Sequence, residues 1–210
     1  MSKINTSLIR EFYNKRYLKS GRSIESVGWS HKSTQILRFD MLLKNIDLKG
    51  KSFLDVGCGL GDFIPYLTEK TNGDFSYIGI DISDMLLQDA KAIHHSSKVE
   101  FFLGDILELD LPEVDISINS GALSYKLPGI ESYAHETMKK MFNLSKEVTA
   151  LNFLSTYVDF QLEKNQHYSP EEIYSQAKDF SSNVNLIDDY PLYEFSIQIF
   201  KKKEKLEVKL

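Results

Sequence analysis

Apolar positions in this 210-residue chain switch repeatedly between two spacings. Over 7–19, Leu8 and Phe12, then Ile9, Tyr13 and Tyr17, recur four residues apart, the period of a helix face. Over 32–46, Ile36, Phe39, Leu43 and Ile46 repeat at helical spacing, and Lys49-Gly50 ends that helix. Between them "GRSIESVGWS" is a glycine- and serine-marked loop. Short apolar runs then predict strands at "KSFLDVG", "FSYIGIDI", "VEFFLGDI", "DISINSG" and "EVTALNFLST". Helices are predicted at "GDFIPYLTEKT", where Pro65 lies near enough the start to be tolerated, at "SDMLLQDAKAIHH", capped by Ser83, and over 130–145. In "SPEEIYSQAKDF", Ser169 takes the cap, Pro170 the first helical position and Glu172 the third, within reach of the cap. The chain closes on "NVNLIDDY", a turn at Pro191 and "LYEFSIQIFKK", read as a hairpin of two strands. The lysine-rich "KKKEKLEVKL" reads as a solvated end or a strand extension.

Strands separated by helices of ten or more residues pair in parallel through crossovers. The expected fold is therefore α/β: a Rossmann-like, doubly wound, seven-stranded sheet, mostly parallel, with one antiparallel strand in the C-terminal hairpin. Residues 1–49 are expected to form N-terminal helices, and 50–210 the core. Ligands in such sheets sit at the carboxyl ends of the strands, where strand order reverses.

The first strand ends in "DVGCGLGD", with Gly57, Gly59 and Gly61 at alternate positions. Glycine there lets the backbone turn sharply and lets a ligand approach without meeting a Cβ. A nicotinamide dinucleotide pattern needs its third glycine where this chain has Asp62, and an anion is a poor neighbour for a pyrophosphate. Asp62 and Asp55 suit instead a ligand bearing a cationic amine. The second strand ends at Asp81, where a carboxylate can accept from two ribose hydroxyls. The third ends at Asp105, placed for an exocyclic adenine amine, with Ile82 and Ile106 set to sandwich the ring. An amino-acid end, a ribose and an adenine without phosphates describe S-adenosylmethionine.

"LDVGCGLGDF", "YIGIDISDM" and "FFLGDIL", in that order and spacing, resemble the first three motifs of class I S-adenosylmethionine-dependent methyltransferases. The resemblance covers residues 50 to 155, and the "YPLYEF" hairpin fits that fold's last two strands. It implies S-adenosylmethionine as cofactor, S-adenosylhomocysteine as product, and a cofactor site of Asp55, Gly57, Cys58, Gly59, Asp62, Phe63, Asp81, Ile82, Met85, Asp105, Ile106, Asn119 and Ser120. In it the glycines lie along the methionine part, Asp55 near its ammonium, and Asn119, Ser120 and Gly121 facing the methyl group. Arg38 is the candidate for the cofactor's carboxylate, against a surface ion pair with Asp40 or Asp47. Tyr13, Tyr17 and Trp29 are covering groups in a lid of residues 8 to 38, against plain core packing.

Charge narrows the acceptor. With 25 Lys and Arg against 30 Asp and Glu, the net charge is −5 and the pI about 5.6, which disfavours phosphate-backbone binding. One cysteine, Cys58, excludes an internal disulfide and sits in the cofactor loop rather than where a covalent base-methylating nucleophile belongs. Asp188 and Asp189 are adjacent and point to opposite faces, so no magnesium triad forms and no metal is expected. The N-terminus is too polar for a signal peptide and no run suits a membrane span, so a cytoplasmic protein without a membrane or nucleic-acid partner, monomer or homodimer, is expected.

"INSGALSY" at the end of the fourth strand lacks the Asn-Pro-Pro-aromatic pattern of enzymes that methylate exocyclic amines. What remains is O-methylation of a polar small molecule, such as a sugar or nucleotide-linked intermediate of surface-polysaccharide biosynthesis. His31 and His167 are the candidate general bases. Tyr13, Trp29, Tyr125, Asn152, Tyr168 and Tyr193 are candidate acceptor contacts. An RNA or protein methyltransferase and a non-catalytic relative that scaffolds a partner stay open as alternatives.

Overall fold

A computed structural model describes residues 4–23, 25–28 and 31–201. Trp29 and the lysine-rich end after Lys201 lie outside the described residues. In chain order the elements are α1 (Thr6–Ser20), α2 (Lys32–Leu42), β1 (Lys51–Val56), α3 (Phe63–Thr71), β2 (Phe75–Asp81), α4 (Asp84–Ile93), β3 (Val99–Leu103), β4 (Val114–Asn119), α5 (Ile130–Leu144), β5 (Ser145–Leu154), α6 (Pro170–Phe180), β6 (Val184–Ile187) and β7 (Glu194–Phe200).

Seven strands form one sheet in the order β3-β2-β1-β4-β5-β7-β6. The first five pair in parallel, and β7 runs antiparallel to both β5 and β6. The connection from β3 to β4 crosses back over the sheet, so strand order reverses between β1 and β4. Their carboxyl ends part there and leave a crevice.

Alternation along the strands feeds two cores, one per face. Leu54, Val56, Leu151 and Phe153 pack with α5 and α6, while Phe53, Ile116, Ile118 and Ala150 pack with the aromatic cluster of Phe39, Phe63 and Tyr66. Local chemistry sets the helix starts. The Ser83 hydroxyl accepts from the Leu86 amide (3.2 Å) and the Ser169 hydroxyl from the Glu172 amide (3.2 Å), as the sequence predicts. The carboxylate that returns to the Ser169 hydroxyl is Glu171 (2.8 Å) rather than Glu172. Helix α2 stops at Leu42, short of the predicted 46, and Asn45 takes a left-handed φ of 64° in the following turn. No helix among the described residues is long and apolar enough to cross a membrane.

Candidate functional site

At the end of β1 the chain turns through Gly57 (φ 76°) and Gly59 (φ 55°), conformations that side-chain-bearing residues rarely adopt. The Gly57 and Cys58 amides both donate to the Ile80 carbonyl (2.8 and 3.0 Å), which locks the loop onto β2. Space is as restrictive as the dihedral. A Cβ on Gly57 would lie 2.3 Å from the Ala122 Cβ, and one on Gly59 2.6 Å from Val27 Cγ1.

Four aspartates converge on this loop. Asp81, the last residue of β2, accepts from the Gly59 amide and, through its other oxygen, from the Ser83 amide, both at 2.8 Å. Burial raises its carboxyl above the usual range despite those donors. Asp55 is buried beneath the loop and accepts from the Tyr77 hydroxyl (2.8 Å). Burial, with Asp81 and Asp62 nearby, pushes its pKa up to about 7. Asp105 accepts from the Leu107 amide and the Tyr133 hydroxyl, each 2.9 Å. Asp62 accepts from the Gln35 amide side chain (3.1 Å). Across the crevice the Asn119 amide donates to the Val56 carbonyl (3.0 Å), while Asn119 Oδ1 and Ser120 Oγ are buried without a partner.

These groups line a cavity of about 920 Å³, mouth included, which carries four aspartates and no lysine, arginine or histidine among its described residues. Such a lining repels a pyrophosphate and accommodates a cation. Its carboxylates at the ends of β2 and β3 face Ile82 and Ile106, its glycines clear the main chain, and Asn119 and Ser120 offer unused oxygens. The donor set therefore fits S-adenosylmethionine.

A second cavity, about 980 Å³ with its mouth, shares Tyr13, Val27 and Gly121 with the first. Burial and the nearby Asp81 push the Tyr13 phenol up to about 12, so it stays protonated at neutral pH. The floor of this second cavity is a buried polar chain. Glu194 of β7 accepts from Arg38 of α2 (Nε at 2.7 Å, and Nη2) and from the Asn152 amide, while Asn152 Oδ1 accepts from the Gly121 amide (2.8 Å).

Fourteen sequence-predicted residues line the first cavity, namely Tyr13, Asp55, Gly57, Cys58, Gly59, Asp62, Phe63, Asp81, Ile82, Asp105, Ile106, Asn119, Ser120 and Gly121, whereas Gly61 does not. The Cys58 thiol is buried, and burial pushes it well up, so it packs as an apolar group. Met85 does not line the cavity; its neighbour Leu86 does. Arg38 lies in the second cavity, on Glu194 rather than on Asp40 or Asp47, whereas Gln35, one turn earlier on the same helix, reaches the first. Tyr125 and Asn152 line the second cavity.

The remaining candidates fall outside both linings. Tyr168 is buried with its hydroxyl donating to the Leu123 carbonyl (2.8 Å). Tyr193 is 65% exposed in the turn before β7. Neither histidine lines either cavity: His31 is exposed at the cap of α2, and His167 Nδ1 is held by the Ser155 carbonyl (2.7 Å). Tyr17 is turned outward to Asp89. Sequence reasoning missed Gln35, Tyr133 and Glu194; only Glu194, the one charged residue of β7, carries a visible signal.

From the N-terminal segment, Tyr13 and Val27 line both cavities and Gln35 the first. Polar ties hold α1 to the start of α4: Arg10 Nε to the Ile82 carbonyl (2.9 Å), Asn14 to Asp84 (3.0 Å) and Ser83 to Asn14 (2.6 Å). Arg22, with Tyr17, bridges to Asp89 and holds its carboxyl below the usual range.

A family model described as "Methyltransferase domain" matches residues 47–203. A protein of Mycobacterium tuberculosis that carries a methyltransferase name is 27% identical over 158 residues, spanning 71% of this chain and 93% of that protein. The demethylmenaquinone methyltransferase of Lactococcus lactis is 27% identical over 149 residues, 70% of this chain and 57% of that one, so the chain spans little more than half of that relative. Among solved structures, magnesium protoporphyrin IX methyltransferase from Synechocystis with bound S-adenosylhomocysteine superposes with a TM-score of 0.70 at 14% identity, over 94% of this chain and 100% of that one. The same enzyme with bound S-adenosylmethionine gives 0.68 at 16% identity, over 96% and 99%.

Proposed function

Because the chain belongs to the methyltransferase-domain family and is an S-adenosylmethionine-dependent enzyme, we propose that it methylates a hydroxyl of a polar small molecule, with the first cavity for the donor and the second for the acceptor. The observation that carries this reading is the shared wall of Tyr13, Val27 and Gly121, where two cavities of different chemistry meet. When bound, the donor would supply an activated methyl group on a sulfonium, and the acceptor hydroxyl would give up its proton to water at the mouth. The protein's part is alignment and the exclusion of water, which are worth several powers of ten. In this reading Asp81 holds the ribose, Asp105 the adenine, Asp55 and Asp62 the amino-acid end, and the segment 1–49 acts as the lid. Asn152, Asn165, Ser124 and Thr34 beside Phe12 and Tyr125 give the second cavity the amide-and-aromatic lining that suits a sugar ring. A sugar or nucleotide-linked intermediate of surface-polysaccharide assembly is accordingly the acceptor class.

The test is calorimetry with S-adenosylhomocysteine. Wild type is expected to bind it and not NAD, and Asp81→Ala to weaken binding by about 1.5–3 kcal/mol through lost charged hydrogen bonds. Unchanged affinity in that variant would count decisively against the ribose role.

Asp55 adds a pH dependence. Its folded-state pKa of about 7 lies above its ordinary value, so its contribution to stability is present at low pH and is lost as pH rises through 7. A ligand ammonium favours the ionised carboxylate, so below pH 7 binding expels a proton. The rise in melting temperature produced by S-adenosylhomocysteine is therefore expected to widen from pH 5.5 to pH 8. An equal rise at both ends would remove the ammonium from Asp55.

A further inference from the structure

Two cavities with a common wall carry opposite charge. The first holds four carboxylates, whereas Arg16, Arg38 and Lys164 line the second against the single acid Glu194. Arg38 and Glu194 are an ion pair, both nearly sealed from solvent, so their charges cancel where they stand. Arg16 and Lys164 are left. Arg16 donates through Nε and Nη2 to the Glu25 carbonyl (3.2 and 2.7 Å), a neutral acceptor, and neither cation forms an ion pair among the described residues. This excess of two positive charges stands in a chain whose net charge is −5, so it runs against the background of the molecule.

We infer that the methyl acceptor is an anion, with its carboxylate or phosphate group between Arg16 and Lys164 in the second cavity. The inference rests on the donor-and-acceptor reading above and names the acceptor's charge. Phe12 and Tyr125, stacked with centroids 4.1 Å apart, and the buried Phe153 supply the apolar surface for the rest of the molecule. Arg16 sits over the Phe12 ring at 5.6 Å, which fixes its guanidinium at that wall. Cations at the mouth attract the acid, and the cationic donor beyond Tyr13 and Gly121 draws it inward. A neutral sugar would leave the two cations without a counter-charge, and a cationic amine is repelled by them.

The experiment incubates wild type, Lys164→Gln, Lys164→Glu and Arg16→Gln with methyl-tritiated S-adenosylmethionine and a low-molecular-mass metabolite extract, then separates products by anion exchange at pH 8. Calorimetry with S-adenosylhomocysteine runs on every variant. Label is expected in retained fractions, with at least a tenfold loss for Lys164→Glu, a smaller loss for Lys164→Gln, and donor affinity within twofold of wild type. Combined phosphodiesterase and phosphatase treatment of the labelled product that abolishes retention identifies a phosphate; unchanged retention identifies a carboxylate. Arg16→Gln loosens the Phe12 wall as well as removing charge, so Lys164→Glu, on an exposed residue, decides the matter. Labelled product, as distinct from unreacted donor, in the unretained fractions, wild-type labelling by Lys164→Glu, or no labelled small molecule from a protein that binds S-adenosylhomocysteine would each overturn the inference. A wild type that does not bind S-adenosylhomocysteine would instead bring down the donor reading itself.

Discussion

Gly59→Val is expected to cost at least about a hundredfold in S-adenosylhomocysteine affinity while the far-ultraviolet circular dichroism stays close to wild type. Three effects act together. The φ of 55° is left-handed, which costs a β-branched residue on the order of 1–2 kcal/mol. The new Cβ would stand 2.6 Å from Val27 Cγ1, so the covering segment must move away from the loop. Any such shift also strains the bond from the Gly59 amide to Asp81, whose other oxygen fixes the start of α4. The sheet itself is insulated, since Leu54 and Val56 are anchored in the core on the far side of β1. Calorimetry and circular dichroism on the same preparation decide the point. A variant that binds at wild-type affinity would mean that no ligand lies close to that backbone.

Glu194→Ala is expected to lower stability by about 3–5 kcal/mol, the usual cost of removing one partner of a buried ion pair. For a chain of this size that corresponds to a fall in melting temperature on the order of 10 °C. The carboxylate joins Arg38 and Asn152, and Asn152 in turn holds the Gly121 amide, so donor affinity is expected to fall as well. Replacing both charges, as in Arg38→Met with Glu194→Leu, is expected to recover most of the stability, because no buried charge is then stranded. Thermal melts of the two single variants and the double variant form the cycle that checks this. Additive losses would show that the pair is not coupled.

Much of the first cavity's lining was legible because its chemistry is local. Asp55, Asp81 and Asp105 each stand at or beside a strand end, and Gly57 and Gly59 follow an apolar run directly, so neighbouring residues announce the turn. Helix caps at Ser83 and Ser169 are equally local, resting on a hydroxyl and an amide three residues apart. Arg38 shows the limit. A cation beside the site could be seen, but its partner lies 156 residues away. His167 shows another: its loop reaches the ligand side of the sheet, yet the Ser155 carbonyl turns the ring away from both cavities.

The order of elements, the doubly wound sheet, the glycine turn and the acids at the strand ends were set by the sequence alone, since periodicity and short-range hydrogen bonding operate over a few residues. Which side chains meet was decided by tertiary structure. Inserting β7 between β5 and β6 brings Glu194 opposite Leu154 and within reach of Asn152, and packing α2 over that edge delivers Arg38. The second cavity, its charge and its shared wall with the first arise from those crossings between distant segments, which no local pattern encodes.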